Sequence, residues 1–278
     1  MQGEDGAHGI AAPVIIGILN ITADSFSDGG RYLNPGAAVE KGLSLAAEGA
    51  DMVEAGAESS NPDGAHVDDE DEWSRLEPAV LALKRAGVLL SVDTRKASVM
   101  RRALALGADM INDVTGLRDP GAVEAVRGSA ARLVVMFARN TGPRAEAAAR
   151  GGGDVLGEIG AFFEERLASL GKAGIDTGRL VLDPGMGFFL GGTPGPSLEV
   201  LLRLRSLRRF GRPICVSVSR KSFIGAALGR AVGERGAGTL AAELWAWVNG
   251  ASYIRTHEPR PLRDAIRMIL AIRAAARK

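Results

Sequence analysis

Eight short apolar runs rich in β-branched residues recur along the chain, each followed by a longer stretch with helical periodicity, and this alternation leaves few folds open. The runs cover 14–19, 52–55, 88–92, 110–114, 133–137, 180–182, 214–218 and 253–255. Helical patterns cover 35–48, 70–86, 96–106, 119–127, 155–173, 197–209, 239–249 and 262–276. Such units build a parallel sheet, and 278 residues allow about 35 for each of eight, enough for a strand, a helix and two loops. No composition break divides the series. The expected architecture is an α/β fold with a single TIM (β/α)8 barrel over 13–278, preceded by a loosely held tail over 1–12.

With 46% hydrophobic and 24% charged residues, disorder is excluded as the main theme. A net charge of +1 gives no global grip on nucleic acid or anionic lipid. The balance is uneven: residues 201–278 carry sixteen Lys and Arg against four Asp and Glu, a local +12, leaving −11 for residues 1–200. Helix faces such as Arg203, Arg205, Arg208 and Arg209 account for much of this excess, and part of it is available to line an anion site. The single cysteine, Cys215, lies in an apolar run and excludes intrachain disulfides and multi-cysteine metal sites. No stretch approaches the roughly 18 apolar residues of a membrane span, and the start lacks a secretory profile. The expected location is the cytoplasm.

In a βα barrel the chemistry sits where strands deliver side chains to the C-terminal face. Polar residues end nearly every predicted strand: Asn20, Glu54, Asp93, Asn112 with Asp113, Asp183, Ser219-Arg220-Lys221-Ser222 and Arg255-Thr256-His257. Any one of them alone reads as a cap or turn residue. Together they sort by chemistry. Asp93, Asn112 and Asp183 offer acceptors and donors suited to a flat heterocycle, whereas Arg255 and His257 suit phosphate. The expected ligand is a polar aromatic ring bearing an anionic arm. The polar, Gly-terminated segment from Asn20 to Gly30, with Asp24 and Asp28, reads as a long active-site loop. Asn20 can supply a hard oxygen to Mg²⁺ bridging phosphates. The Gly- and Ala-rich tract over 141–154 reads as a mobile loop or an ordinary long connection.

At these residues the chain resembles dihydropteroate synthases, from Gly17 to about Ile266. The resemblance rests on Gly17-Ile18-Leu19-Asn20-Ile21-Thr22, Asp24-Ser25-Phe26-Ser27-Asp28-Gly29-Gly30, Ser91-Val92-Asp93-Thr94 and Ile111-Asn112-Asp113-Val114. It continues through Asp183-Pro184-Gly185-Met186-Gly187-Phe188, Ser219-Arg220-Lys221-Ser222-Phe223-Ile224-Gly225, Gly238-Thr239-Leu240-Ala241-Ala242 and Arg255-Thr256-His257. It implies an enzyme joining 7,8-dihydropterin-6-ylmethyl diphosphate to 4-aminobenzoate, with release of pyrophosphate, in folate biosynthesis. By position, Asp93, Asn112, Asp183 and Lys221 would hold the pterin, Met136 would pack on it and Arg255 would stack on its face. Arg255, His257 and Asn20 with Mg²⁺ would receive the diphosphate. Ser219 and Ser222 would take the aminobenzoate carboxylate at a helix N-terminus. Asp28 joins Asp183, Lys221, Arg255 and His257 in the implied catalytic set, and the implied assembly is a homodimer through the later helices.

The chain departs from the family pattern after strand two, where Glu54-Ala55-Gly56-Ala57-Glu58-Ser59-Ser60-Asn61-Pro62-Asp63 replaces Asp-x-Gly-Gly-Glu-Ser-Thr-Arg-Pro-Gly. Ser60 keeps a hydroxyl for substrate, and Asn61 lacks a guanidinium. Phe137 stands where a His is usual, and Ala23 where a Pro is. After Asp183 come Gly187-Phe188-Phe189-Leu190, with an extra aromatic. With Arg255-Thr256-His257-Glu258-Pro259-Arg260-Pro261, this resembles the mobile sulfonamide-resistant synthases. Phe188 and Phe189 either reshape the aminobenzoate pocket or pack the loop base. Two rival functions are a pterin-dependent corrinoid methyltransferase and a non-catalytic pterin-binding homologue; anion-binding residues argue against the first, and Glu54, Asn61 and Phe137 alone favour the second.

Overall fold

The computed structural model describes residues 11–22, 34–59, 64, 66–139 and 153–276. Among them eight parallel strands alternate with helices: β1 Val14–Asn20, α1 Pro35–Ala47, β2 Met52–Gly56, α2 Asp69–Arg85, β3 Leu90–Asp93, α3 Ala97–Ala105, β4 Met110–Asp113, α4 Pro120–Arg127 and β5 Arg132–Met136. The series continues with α5 Val155–Lys172, β6 Leu180–Asp183, α6 Gly195–Leu202, β7 Cys215–Ser217, α7 Ser222–Leu228, α8 Gly236–Val248, β8 Tyr253–Thr256 and α9 Pro259–Ala275. The strands run β6-β5-β4-β3-β2-β1-β8-β7, and a parallel bridge from Leu182 to Ile214 joins the two ends into a barrel.

Local chemistry places the helix starts. Asn34 accepts from the Gly36 and Ala37 amides at the head of α1, and Asp68, Asp119 and Asp154 cap α2, α4 and α5. In α2 the first turn is Asp69-Glu70-Asp71-Glu72 and the last carries Lys84 and Arg85, the charge order that the helix dipole favours. Pro259 and Pro261 open α9, where a missing amide costs nothing.

Three sequence expectations need correction. The third strand starts at Leu90, not residue 88, because the Val88 amide donates to Leu83 O beyond left-handed Gly87 and so closes α2. The segment 197–209 is not one α-helix: α6 ends at Leu202, and 204–210 is a 3₁₀ segment that buries Leu204 and Leu207 three residues apart. A further helix, α7, occupies a stretch for which no separate helix was counted.

The core has two parts. A large outer cluster, with Leu19, Leu76, Val92, Ile111, Leu133 and Ile254, lies between sheet and helices. Inside the barrel Ile16, Met52, Met110, Val134, Val181, Cys215 and Tyr253 form a compact apolar floor. Burial pushes the Cys215 thiol well up, so this cysteine is an inert packing group. Since side chains alternate along a strand, the next inward residues lie two positions later.

Candidate active site

Those next residues are polar on most strands. Above the apolar floor lie Glu54, Ser91, Asn112, Asp183, Ser217 and Arg255, all buried. Above them opens a cavity of about 380 Å³, whose wall includes Asn20, Asp93, Phe188, Phe189, Ser219, Lys221, Ser222, Arg255 and His257. The barrel thus brings together most of the residues expected from sequence.

Arg255 is the central charge. Its Nη2 ion-pairs with Glu54, and it donates to Asp93 Oδ2 at 2.9 Å. Glu54 also accepts from Ser91 Oγ at 3.0 Å. Burial and the Glu54 carboxylate push Asp93 up to about 7 against the pull of Arg255. Asp93 still has 26% of its side-chain surface open, on the wall of the cavity. The neighbouring carboxylates raise the Arg255 pKa against desolvation, and the guanidinium stays charged.

Burial raises Asp183, a rise that Arg255 and Lys221 oppose. One oxygen of Asp183 accepts from the Gly185 amide at 2.8 Å, and Oδ2 has no hydrogen-bond partner. Burial brings Lys221 down to about 8, opposed by the Asp183 charge. Its Nζ donates to Met186 O at 3.2 Å and lies 5.2 Å from the centre of the Phe189 ring. Both side-chain polar atoms of Asn112 and Arg255 Nε are also buried without hydrogen-bond partners. Leaving such atoms unpaired costs roughly 1–3 kcal/mol each. Arg255 reaches the cavity wall, while Asn112 and Asp183 lie buried beneath it.

Met136 packs with Ala138 and Phe189, and Phe188 rests against this group. The Gly187–Phe189 3₁₀ turn packs Phe189 at the loop base against Met136 and Ala138 and places Phe188 and Phe189 in the cavity wall. Ser219 is not simply an anion donor, because its Oγ contacts His257 Nδ1 at 2.9 Å and accepts from the His257 amide at 3.2 Å. That pair fixes the imidazole at the rim. Ser222 begins α7 on the same wall.

Two strand-end residues point elsewhere. Asp113, one position after Asn112, faces outward and accepts from Thr115 N, Thr115 Oγ1 and Leu117 N at 2.7–3.1 Å. Phe137 packs edge-on against Phe162 at 5.5 Å within the outer core, so its aromatic ring takes no place in the cavity wall. Asp28, Ser60, Asn61, Ala23, Asp24 and residues 141–152 lie outside the described residues.

Sequence reasoning missed Glu58, Val232 and Arg235, which also line the cavity. Glu58 had a detectable signal in the run after strand two. Lys96 pairs with Glu58 at 3.0 Å and with Glu72, tying that run to α2. Arg235 had none, since it stands at the start of a helix, away from any strand end.

A family model described as pterin binding enzyme matches residues 16–257. The chain is 49% identical to dihydropteroate synthase type-2 of Escherichia coli, with 95% of this chain and 97% of that protein covered. It is 42% identical to the type-1 enzyme of Pseudomonas aeruginosa over 91% of each. The structure of Xanthomonas albilineans dihydropteroate synthase with 4-aminobenzoic acid superposes with a TM-score of 0.87 at 39% identity, covering 95% of this chain and 94% of that one. The chain belongs to the pterin binding enzymes, and within them to the dihydropteroate synthases.

Proposed function

We propose that the chain condenses 7,8-dihydropterin-6-ylmethyl diphosphate with 4-aminobenzoate in the cytoplasm, and that its inner polar layer is the pterin site. The observation carrying this assignment is the set of buried, unpaired atoms Asn112 Nδ2 and Oδ1, Asp183 Oδ2 and Arg255 Nε beside Lys221. Both donors and acceptors stand there, as the edge of a pterin requires. Met136 and Phe189 supply an apolar face. A corrinoid methyltransferase has no comparable need for His257, Ser219 and Ser222 at the mouth.

In this reaction the methylene C–O bond to diphosphate breaks, the aromatic amine forms the new C–N bond, and the amine proton leaves with the products. Charge stabilisation is the main demand, since an arylamine is little protonated at neutral pH and needs no strong base. Asp183 stabilises positive charge spread over the pterin. Arg255 and His257 stabilise charge on the departing diphosphate. Ser219 and Ser222 meet the aminobenzoate carboxylate. Asn20, on the cavity wall, offers one neutral oxygen and fits a Mg²⁺ ion held mainly by the diphosphate itself. When bound, that ion would neutralise leaving-group charge.

Phe188 and Phe189 line the wall beside Lys221 and support reduced sulfonamide sensitivity, because a tetrahedral sulfonyl group with its substituent needs more room than a planar carboxylate. The exposed Leu198, Leu202, Leu228 and Trp245 lie on α6, α7 and α8, which pack together, and support a homodimer through this face.

Growth of a synthase-deficient strain carrying this chain, with and without sulfonamide, tests both readings. Growth in both conditions is expected. Failure to grow with well-expressed protein refutes the synthase assignment. Ordinary low-micromolar inhibition of purified enzyme, unchanged when Phe189 is replaced by Leu, refutes the aromatic-wall assignment.

A further inference from the structure

Ser219, Arg220, Lys221 and Ser222 all line the cavity although they are consecutive, and the backbone changes hand at Arg220. Arg220 is one of two non-glycine residues with positive φ among the described residues, at 57°. A side chain in that conformation is costly and persists only where its surroundings hold it. Here three tethers converge. The Arg220 amide donates to Thr239 Oγ1 at 3.1 Å, Arg235 Nη1 donates to Arg220 O at 2.8 Å, and the Arg220 guanidinium pairs with Glu258 at 3.3 Å. Thr239 is buried in α8, and Arg235 stands just before that helix.

Arg235 is itself held. Its Nε donates to Arg230 O at 3.2 Å, and its guanidinium lies across Gly225 of α7, where an added Cβ would come within 2.4–2.5 Å of the guanidinium group. A glycine is therefore required at 225 for Arg235 to lie where it reaches Arg220 O.

We propose that Arg235 and Thr239 form a clamp that holds Arg220 left-handed and thereby positions Lys221 and Ser219 for the condensation. Both are positioning residues that act through the Arg220 backbone. This inference rests on the synthase reading for its kinetic consequence, and on geometry alone for its structural one.

The test compares Arg235→Met and Gly225→Ala in the full-length chain, each also in an Arg220→Gly background. Glycine adopts positive φ without strain and depends less on the clamp. In the native background kcat should fall on the order of 10²-fold, the scale of a small misplacement of catalytic groups. In the Arg220→Gly background the same changes should cost less than about 5-fold. The alkaline limb of the pH–rate profile should move up in Arg235→Met, because a loosened Lys221 regains water. Trypsin supplies a readout independent of activity: cleavage after Arg220 or Lys221, located by mass spectrometry, should accelerate at least about tenfold in both single variants.

Equal kinetic losses in both backgrounds would show that Arg235 touches substrate directly and would overturn the clamp. So would unchanged kcat together with unchanged cleavage in a well-folded Arg235→Met protein. If the native chain makes no dihydropteroate yet its variants are cleaved faster, the synthase reading fails and the clamp stands.

Discussion

Met110, Val181, Cys215 and Tyr253 form one layer of the barrel interior, and Asn112, Asp183, Ser217 and Arg255, two positions later on the same strands, form the next. Both layers are buried. The lower one is apolar and closed by its own contacts, whereas the upper one holds four buried polar atoms without hydrogen-bond partners. Two residues along a strand thus separate a region organised for stability from one whose polar atoms are left incompletely paired. The strand period makes this possible, since one step of two keeps a side chain inside the barrel while its chemistry changes.

The largest expected effect comes from removing the charge on which the upper layer depends. Arg255→Leu strands Glu54 and Asp93 without their countercharge and should cost about 3–5 kcal/mol of stability. It should also lower kcat/KM by at least about 10²–10³-fold. Arg255→Lys keeps the charge but not the fork, and should recover much of the stability and little of the activity. Urea unfolding with steady-state kinetics separates the two quantities. A Lys variant with native kcat/KM would show that charge alone suffices there.

A sharper contrast lies within β4. Met110→Ala in the lower layer should cost about 2–5 kcal/mol and leave the activity of folded molecules within about twofold. Asn112→Leu should behave in the opposite way. Its amide has no partner to lose, so stability should hold or rise by about 1 kcal/mol while kcat/KM drops by at least about 10²-fold. Equal destabilisation by the two variants would break the division between layers.

The layering explains how much could be read in advance. Asp93, Asn112, Asp183, Lys221 and Arg255 were legible because polarity at the end of a β-branched run is unusual and repeats around the rim. Asp113 shows the limit, because Asn112 and Asp113 look equivalent in sequence and only strand parity sends one inward and the other to cap a loop. Phe137 shows the same limit from the apolar side. Glu54 looked like a departure from pattern, and its meaning as the partner of Arg255 needed the β2–β8 geometry across β1. Arg235 was illegible because its role depends on reaching a carbonyl fifteen residues away through the packing of α7 and α8.

The smallest effect concerns pH, because the groups that titrate near neutrality, Asp93 and Lys221, stand on the cavity wall beside the upper layer and not in the floor. Asp93 is pushed up to about 7 and Lys221 down to about 8. On the proposed reading, ionised Asp93 accepts from a pterin ring N–H and protonated Lys221 stabilises the anionic surroundings of the reaction. The profile of kcat/KM should therefore rise through about 7 and fall through about 8. For folding, the raised Asp93 pKa means that the native chain retains a proton which the unfolded chain releases above 3.8. Stability from this group is fully present below that value and is lost as pH rises to about 7. Asp93→Asn should flatten part of this slope and remove the acidic limb, leaving the contributions of Asp183 and Glu243, whose pKa values burial also raises. Met110→Ala should leave both limbs in place while shifting the whole stability curve downward, since no titrating group of the upper layer loses its neighbour. A displaced acidic limb in Met110→Ala would mean that the floor tunes the charges above it, and the two layers would then be one coupled unit.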